Sequence, residues 1–166
     1  MKNLTINSTI RHLFSLAIIM VGLWIPHGWA ATIHSVAAGG DWNKAETWVG
    51  GQVPGADDSV VNGTVSVYGK TVAGLTVSSG AILENRSGST LTVNGNITNN
   101  GIIKNADEGG TLYIRVSGDI TNNGQWNNYK TTFFGNVTAT INGKVPASRI
   151  YFEKDLSVTS KKSLNC

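Results

Sequence analysis

The carboxylates of this chain are few, and their spacing limits the chemistry that they could support. Asp57 and Asp58 are adjacent and could offer oxygen ligands to Ca²⁺. A calcium ion takes about six to eight oxygens, so this pair alone does not predict a metal site. Asp119 and Arg115 supply one acid and one base, whereas glycoside hydrolysis requires a pair of carboxyl groups. We therefore predict no catalytic residue, no metal and no cofactor.

Other reactive side chains are equally scarce. His34 is the only histidine after residue 30, so neither a histidine metal cluster nor a Ser-His-Asp triad is indicated. Cys166 is the only cysteine, which excludes a disulfide framework. The glycine-rich segments lack the Gly-Lys-Thr signature of a phosphate-binding loop. Lysine and arginine are scattered rather than clustered, which argues against nucleic acid as a partner.

Two tryptophans are the remaining candidates for ligand contact. Trp42 and Trp48 could stack on sugar rings, because a flat aromatic face suits the apolar side of a pyranose. They could instead cover the end of a hydrophobic core while each indole N–H reaches a carbonyl or water. We favour the second interpretation, because large aromatic side chains are usually buried.

A repeated phrase indicates the architecture that must position these residues. Residues 94–105 read NGNITNNGIIKN and residues 117–128 read SGDITNNGQWNN, with seven of twelve positions identical at an interval of 23. In both copies apolar or small residues alternate with polar ones, which is the period of a strand with one buried face. A weaker copy lies upstream, and each unit contains three short strand-like pieces.

Units of this size cannot bury an apolar face alone, so the repeat predicts a solenoid. Three strands per unit and no helical stretch predict an all-β, right-handed parallel β-helix of about four to five short coils. An antiparallel sandwich is the rival fold, but it would not require whole three-strand units to recur. The repeat predicts that equivalent corner residues stack and that their glycines need positive φ. These corner residues are Asn99, Asn100, Gly101, Asn122, Asn123 and Gly124.

The ends of the chain differ from the repeats. Residues 1–30 resemble a secretory signal peptide, with an apolar run too short to span a bilayer and a small-residue site ending at Ala30. Its removal takes away Lys2 and Arg11, so the formal charge falls from +3 to +1. We predict a cap over residues 31–59 and β-helical coils over 60–166. Because no capping element follows the last repeat, we expect the chain to be part of a longer design.

The opening of the predicted cap resembles a known group of proteins. Its characteristic residues are Gly40, Trp42, Thr47, Trp48, Gly50, Gly51, Pro54, Gly55, Asp57 and Asp58. This Trp, Thr-Trp, Gly-Gly, Pro-Gly, Asp-Asp order resembles bacterial exported surface proteins of the adhesin, autotransporter-passenger and type IX-secreted kinds. The resemblance implies a β-helix outside the cell. In that setting the glycines and Pro54 would shape the entry loop, and both aspartates would accept main-chain N–H bonds.

These observations lead to one functional prediction and one alternative. We predict a non-catalytic, secreted or cell-surface protein whose coils form a rigid stalk or adhesive platform. Its partners would be glycans or neighbouring surface proteins, contacted through Thr, Asn and Ser side chains, with no membrane span after signal cleavage. The alternative is the amino-terminal part of a polysaccharide-active enzyme, either a lyase or a glycosidase.

Overall fold

The structure is a computed structural model, and it describes residues 31–85, 87–135 and 139–153, together with the backbone of 158–161. The predicted signal peptide and Cys166 lie outside the described residues. Seventeen strands follow one another along this part of the chain. In chain order they are β1 Thr32–His34, β2 Gly40–Asp41, β3 Asp58–Val61, β4 Thr64–Ser66, β5 Lys70–Val72, β6 Gly74–Val77, β7 Ile82–Glu84, β8 Thr90–Val93, β9 Ile97–Asn99, β10 Ile102–Lys104, β11 Tyr113–Val116, β12 Ile120–Asn122, β13 Gln125–Asn127, β14 Lys130–Phe133, β15 Ala139–Gly143, β16 Arg149–Phe152 and β17 Val158–Lys161.

The strands form three sheets, and the chain visits them in rotation. The first sheet has the order β1-β3-β6-β9-β12-β15-β17, the second β2-β4-β7-β10-β13 and the third β5-β8-β11-β14-β16. Strand neighbours within every sheet are parallel, as in β9 beside β12. Strands β3 to β14 make four coils with a strand on each sheet, and partial coils lie on either side of them. The fold is therefore a parallel β-helix of about five turns, which confirms the predicted fold class.

The register of the coils follows the sequence repeat. Ile97 pairs with Ile120, and Leu91 pairs with Ile114, at the interval of the repeated phrase. Because successive side chains of a strand point to opposite faces, these four all point inward, and each is 0% exposed. Because every coil places its apolar residues over those of the coil before, the core is one continuous column rather than a set of separate clusters.

A ladder of asparagine amides lines one corner of this column, as the repeat predicts. Asn99 pairs in register with Asn122, and its Nδ2 donates to Oδ1 of Asn122 at 2.9 Å. Asn122 in turn donates to the main-chain carbonyl of Lys144 at 2.9 Å. A second ladder lies outside, where Asn123 donates to Asn100 at 2.9 Å in an exposed position. The buried ladder satisfies polar groups that would otherwise be costly inside the column.

The glycines beside these asparagines have a different role from the one expected. Neither Gly101 nor Gly124 has a positive φ, so the prediction of left-handed corners was wrong for both. A Cβ on Gly124 would instead collide with the main-chain carbonyl of Gly101, and one on Gly101 would collide with the carbonyl of Ala81. Glycine is required here because successive backbones approach too closely for a side chain. At the same corner of the coils before and after, Gly80 and Gly143 do have left-handed φ values, of 79° and 82°.

This close approach gives a testable consequence at Gly124. We expect Gly124→Ala to lower the free energy of unfolding by about 1–3 kcal/mol, because the backbone of the neighbouring coil must move to admit the methyl group. Gly55→Ala is the matched control, since a methyl group added there would meet nothing within 4 Å and the φ of Gly55 is not left-handed. Urea unfolding followed by circular dichroism measures both. Equal stability of the two variants would contradict the steric explanation.

The predicted cap, residues 31–59, contains the first strands of the column. Strand β1 pairs with β3, and β2 pairs with β4, so this segment already contributes to two sheets. Two short 3-10 helices, Ala45–Thr47 and Val49–Gly51, follow in place of a third strand. Gly50 and Gly51 adopt φ values of 80° and 75° in the turn, and Pro54 is buried beside it.

Candidate binding surface on the third sheet

The two predicted ligand-contacting tryptophans lie inside the cap. Trp42 is 0% exposed and Trp48 is 2% exposed, and their rings meet edge to face with centroids 4.7 Å apart. Trp48 Nε1 donates to the main-chain carbonyl of Trp42 at 2.7 Å, whereas Trp42 Nε1 has no partner among the described residues. With both rings buried, neither presents a face on which a sugar could stack. Their burial favours the interpretation as a core cover.

The two aspartates of the same segment, Asp57 and Asp58, lie against residues of the next coil. The main-chain carbonyl of Asp57 accepts a hydrogen bond from Ala73 N at 3.0 Å. Asp58 begins β3, and its Oδ1 lies beside Gly74 of the next coil. Within the described ranges, no group of three or more His, Cys, Asp or Glu residues could hold a metal ion. Asp119 differs from Asp57 in using its side chain, because its Oδ1 accepts from Thr140 N at 2.7 Å.

The surface that combines aromatic rings with charged side chains lies on the outer face of the third sheet, near its β16 edge. Alternation along β11, β14 and β16 directs every second side chain outward, and the outward positions are in register. Tyr113 pairs with Lys130, and Lys130 pairs with Arg149. Two residues further along the strands, Arg115 pairs with Thr132, and Thr132 pairs with Tyr151. We define the basic tyrosine face as Tyr113, Arg115, Tyr129, Lys130, Arg149 and Tyr151.

Lys130 occupies the centre of the basic tyrosine face. Its ammonium lies 5.5 Å from the ring centroid of Tyr113 and 5.3 Å from that of Tyr151. Tyr113 also meets Tyr129 edge to face, with centroids 5.2 Å apart. An aromatic ring attracts a cation through the negative charge of its face, so the two rings hold Lys130 between them. The result is a cation flanked by aromatic surface and open to solvent on one side.

The two arginines are held in different ways. Arg115 forms a two-point ion pair with Glu153, with Nε and Nη2 at 3.1 and 2.7 Å from the carboxylate oxygens, and its guanidinium lies 4.5 Å from the Phe134 centroid. Arg149 donates from Nη1 to Tyr129 Oη at 2.9 Å and lies 4.8 Å from the centroid of that ring. Arg115 is thus paired with a carboxylate, whereas Arg149 contacts a tyrosine side chain.

A buried polar network fixes the backbone beneath this face. Asn128 Oδ1 accepts from Trp126 Nε1 at 2.9 Å and from Thr131 Oγ1 at 3.1 Å. Its Nδ2 donates to the carbonyls of Leu112 and Lys130 at 3.0 and 2.7 Å. Because one side chain links the ends of β11, β13 and β14, the strands that carry Tyr113 and Lys130 have little freedom to move apart.

A shallow depression of about 250 Å³ opens on this face. It is lined by Thr90, Tyr113, Ile114, Arg115, Lys130, Thr132, Tyr151, Phe152 and Glu153. Tyr151 and Phe152 are 50% and 46% exposed, so its rim presents apolar surface to solvent. A larger depression of about 380 Å³ lies on the first sheet, but none of its lining residues is aromatic. The combination of rings and cations therefore distinguishes the third sheet.

The pKa of Glu153 gives a direct check on this geometry. The hydrogen bond from Arg115 lowers the pKa of Glu153 below its usual value of 4.5. Desolvation opposes this hydrogen bond to a smaller extent, and the charges of Arg115 and Lys130 each lower the pKa by less again. A depressed carboxyl pKa stabilises the fold at pH above the unfolded value, and this contribution is lost as the pH falls through the folded value. We expect an NMR titration of the Glu153 carboxyl to give a midpoint below 4.5.

Arg115→Gln supplies the comparison for that titration. Removing the guanidinium should raise the Glu153 midpoint toward its usual value, while Lys104→Gln, on the second sheet, should leave it unchanged. Lys104 is a suitable control because it pairs with Asp107 at 2.6 Å, away from Glu153. A Glu153 midpoint that does not respond to Arg115→Gln would show that the ion pair does not persist in solution.

The protein is therefore a parallel β-helix that carries an aromatic, positively charged face near one end. Comparisons with family models, with curated proteins and with solved structures found no match to this chain. The predicted kinship with exported surface proteins therefore remains a prediction based on the opening residues. In the part of the chain that the structure describes, no helix is long and apolar enough to cross a membrane.

Proposed function

We propose that the protein is a non-catalytic, exported surface or extracellular protein whose β-helix acts as a rigid platform for contact with glycans or neighbouring chains. The basic tyrosine face is the observation on which this proposal depends. Five of its six side chains, all except Tyr129, are held in register by three parallel strands, so they form a fixed pattern rather than a mobile one. Tyrosine combines an apolar ring with a polar tip, which suits a contact that is partly wet.

The regular coils support the mechanical part of the proposal. A parallel β-helix satisfies its main-chain groups between coils, and here asparagine ladders add side-chain bonds along the same direction. Such a column resists bending at any one coil, because each strand is fixed by the strands before and after it. A stiff support keeps a weak binding surface oriented, which favours repeated contacts with a polymer or a neighbouring cell.

A panel of immobilised glycans tests the binding proposal. We expect the purified protein to bind at least one glycan, and Tyr113→Ala combined with Tyr151→Ala to weaken this binding by about tenfold or more, through loss of aromatic contact. Tyr68→Ala is the matched control, because Tyr68 lies beside the second sheet's β4 and outside the defined face. Equal weakening by the control would contradict the assignment of the face.

The same glycans test the non-catalytic part. We expect no new reducing ends and no unsaturated sugars after prolonged incubation with any glycan that binds. Turnover that is lost in a variant of this face would instead support the alternative of a polysaccharide-cleaving enzyme. The export proposal has its own measurement, since a secreted form should begin at Ala31 after cleavage of residues 1–30.

A further inference from the structure

The charges of the described strands are distributed unequally over the three sheets. Strands of the third sheet carry four cations and no carboxylate: Lys70, Arg115, Lys130 and Arg149. Strands of the second sheet carry Asp41, Glu84 and Lys104. Because the formal charge of the whole chain is only +3, this concentration is not a by-product of a strongly basic composition. One side of the column is selectively positive.

Lys130 and Arg149 are a pair of like charges in neighbouring positions. They face each other in register across β14 and β16. Like charges directly opposite on adjacent strands repel and destabilise a sheet. Among the described residues no salt bridge joins either of them to a carboxylate, although the charge of Lys130 acts at longer range on Glu153, which is paired with Arg115. Repulsion of this kind is relieved when an anion binds between the two cations.

Aromatic rings surround this pair of cations. Tyr129 and Tyr151 are 37% and 50% exposed, and Tyr113 lies against Lys130. Strands in one sheet are ~4.8 Å apart, and an extended pyranose chain advances by a comparable distance per sugar. Sugar units could therefore follow the sheet from strand to strand, with one ring on a tyrosine and an acidic group beside the next cation.

We infer that the basic tyrosine face binds an anionic glycan, with a carboxylate or sulfate group between Lys130 and Arg149 and a sugar ring packed on Tyr151 or Tyr113. This inference rests on the proposed function and specifies its ligand class. Nucleic acid fits less well, because a nucleic-acid surface needs a series of cations along a backbone and this face has only two that are not paired with carboxylate.

Binding to three polymers tests whether recognition depends on the negative charge of the glycan. Polygalacturonate carries only carboxylates, dextran sulfate carries only sulfates, and dextran is the neutral counterpart of the second. We expect calorimetric titration at low salt to detect binding of at least one anionic polymer and not of dextran. Binding should weaken as salt rises, because salt screens exposed charges.

Two double variants, each of which removes two positive charges, test where on the protein the polymer binds. We expect Lys130→Gln combined with Arg149→Gln to weaken binding by about tenfold or more, since two charge-assisted contacts are lost. Lys44→Gln combined with Lys144→Gln removes the same charge from exposed positions outside the third sheet and should leave affinity within about twofold. Circular dichroism of each variant verifies that it is folded.

The outcomes separate this inference from the broader proposal. Binding of dextran as tight as that of the anionic polymers would overturn the anionic ligand while leaving a glycan platform intact. Equal weakening by both double variants would also overturn it, because the attraction would then be general. Tighter binding of single-stranded DNA than of either anionic glycan would assign the face to another ligand. Absence of binding to every glycan would overturn the proposed function itself.

Discussion

Trp48→Ala is expected to lower the free energy of unfolding by about 3–5 kcal/mol, which is a large part of the stability of a typical domain. Trp48 is almost fully buried, and its ring packs edge to face on Trp42 at the open end of the core column. Truncation would leave a cavity that the neighbouring strands cannot fill, and water would reach the first coil. Urea unfolding monitored by circular dichroism measures the loss.

Two companion variants isolate the causes of this effect. Val49→Ala alters the next residue, which is 61% exposed, and should change the free energy of unfolding by less than about 0.5 kcal/mol. Trp48→Phe retains a packed ring but removes the Nε1 donor to the Trp42 carbonyl, so it should cost about 1–3 kcal/mol. A Trp48→Ala protein as stable as Val49→Ala would contradict the role of the cap.

Asn122→Ala should have the second-largest effect, a loss of about 2–4 kcal/mol in the free energy of unfolding. Asn122 is buried, accepts a hydrogen bond from Asn99 and donates one to the carbonyl of Lys144. Alanine would leave one buried N–H of Asn99 and the partly buried carbonyl of Lys144 without these partners. Desolvated groups of this kind are more costly than the net value of an exposed hydrogen bond.

The adjacent residue provides a control of the same chemical type. Asn123→Ala removes a hydrogen bond of the same length, 2.9 Å to Asn100, but in an exposed position where water can replace it. We expect a loss below about 1 kcal/mol, measured by the same urea titration. Equal losses for Asn122→Ala and Asn123→Ala would mean that the buried ladder contributes no more than the outer one.

The fold could be predicted because the sequence repeats the physical pattern of a coil. Alternation in the phrase around Ile97 and Ile120 identifies the inward positions, and the interval of 23 sets the register between coils. The asparagine ladder follows from the same register. The role of Gly101 and Gly124 could not be predicted, because a glycine in the sequence does not reveal whether φ or close backbone approach requires it.

The basic tyrosine face was missed because the repeat interval changes where the face forms. Leu91 and Ile114 pair at the interval of the repeated phrase, but Tyr113 pairs with Lys130 at an offset of only 17. Lys130 then pairs with Arg149 at an offset of 19. A search for copies at a constant interval does not align these three residues. The available signal was the alternation in YIRV and RIYF, which places ring and cation on the outward side of a strand.

The buried tryptophans and the basic tyrosine face lie in different parts of the column. The two buried tryptophans lie beside the first strands of the column, whereas Tyr151 and Arg149 lie on β16, the edge strand of the third sheet. The proposed function therefore predicts that stability and ligand contact depend on different residues. Variants of the cap should unfold more readily without a direct loss of affinity, and variants of the face should lose affinity while remaining folded.

An NMR titration of the ¹⁵N-labelled protein with oligogalacturonate tests the central claim most directly, because it locates the contact without altering the chain. The account predicts that the largest amide shifts occur in β11, β14 and β16, around Tyr113, Lys130 and Tyr151. Shifts of similar size throughout the first sheet, or shifts centred on the cap around Trp48, would contradict it.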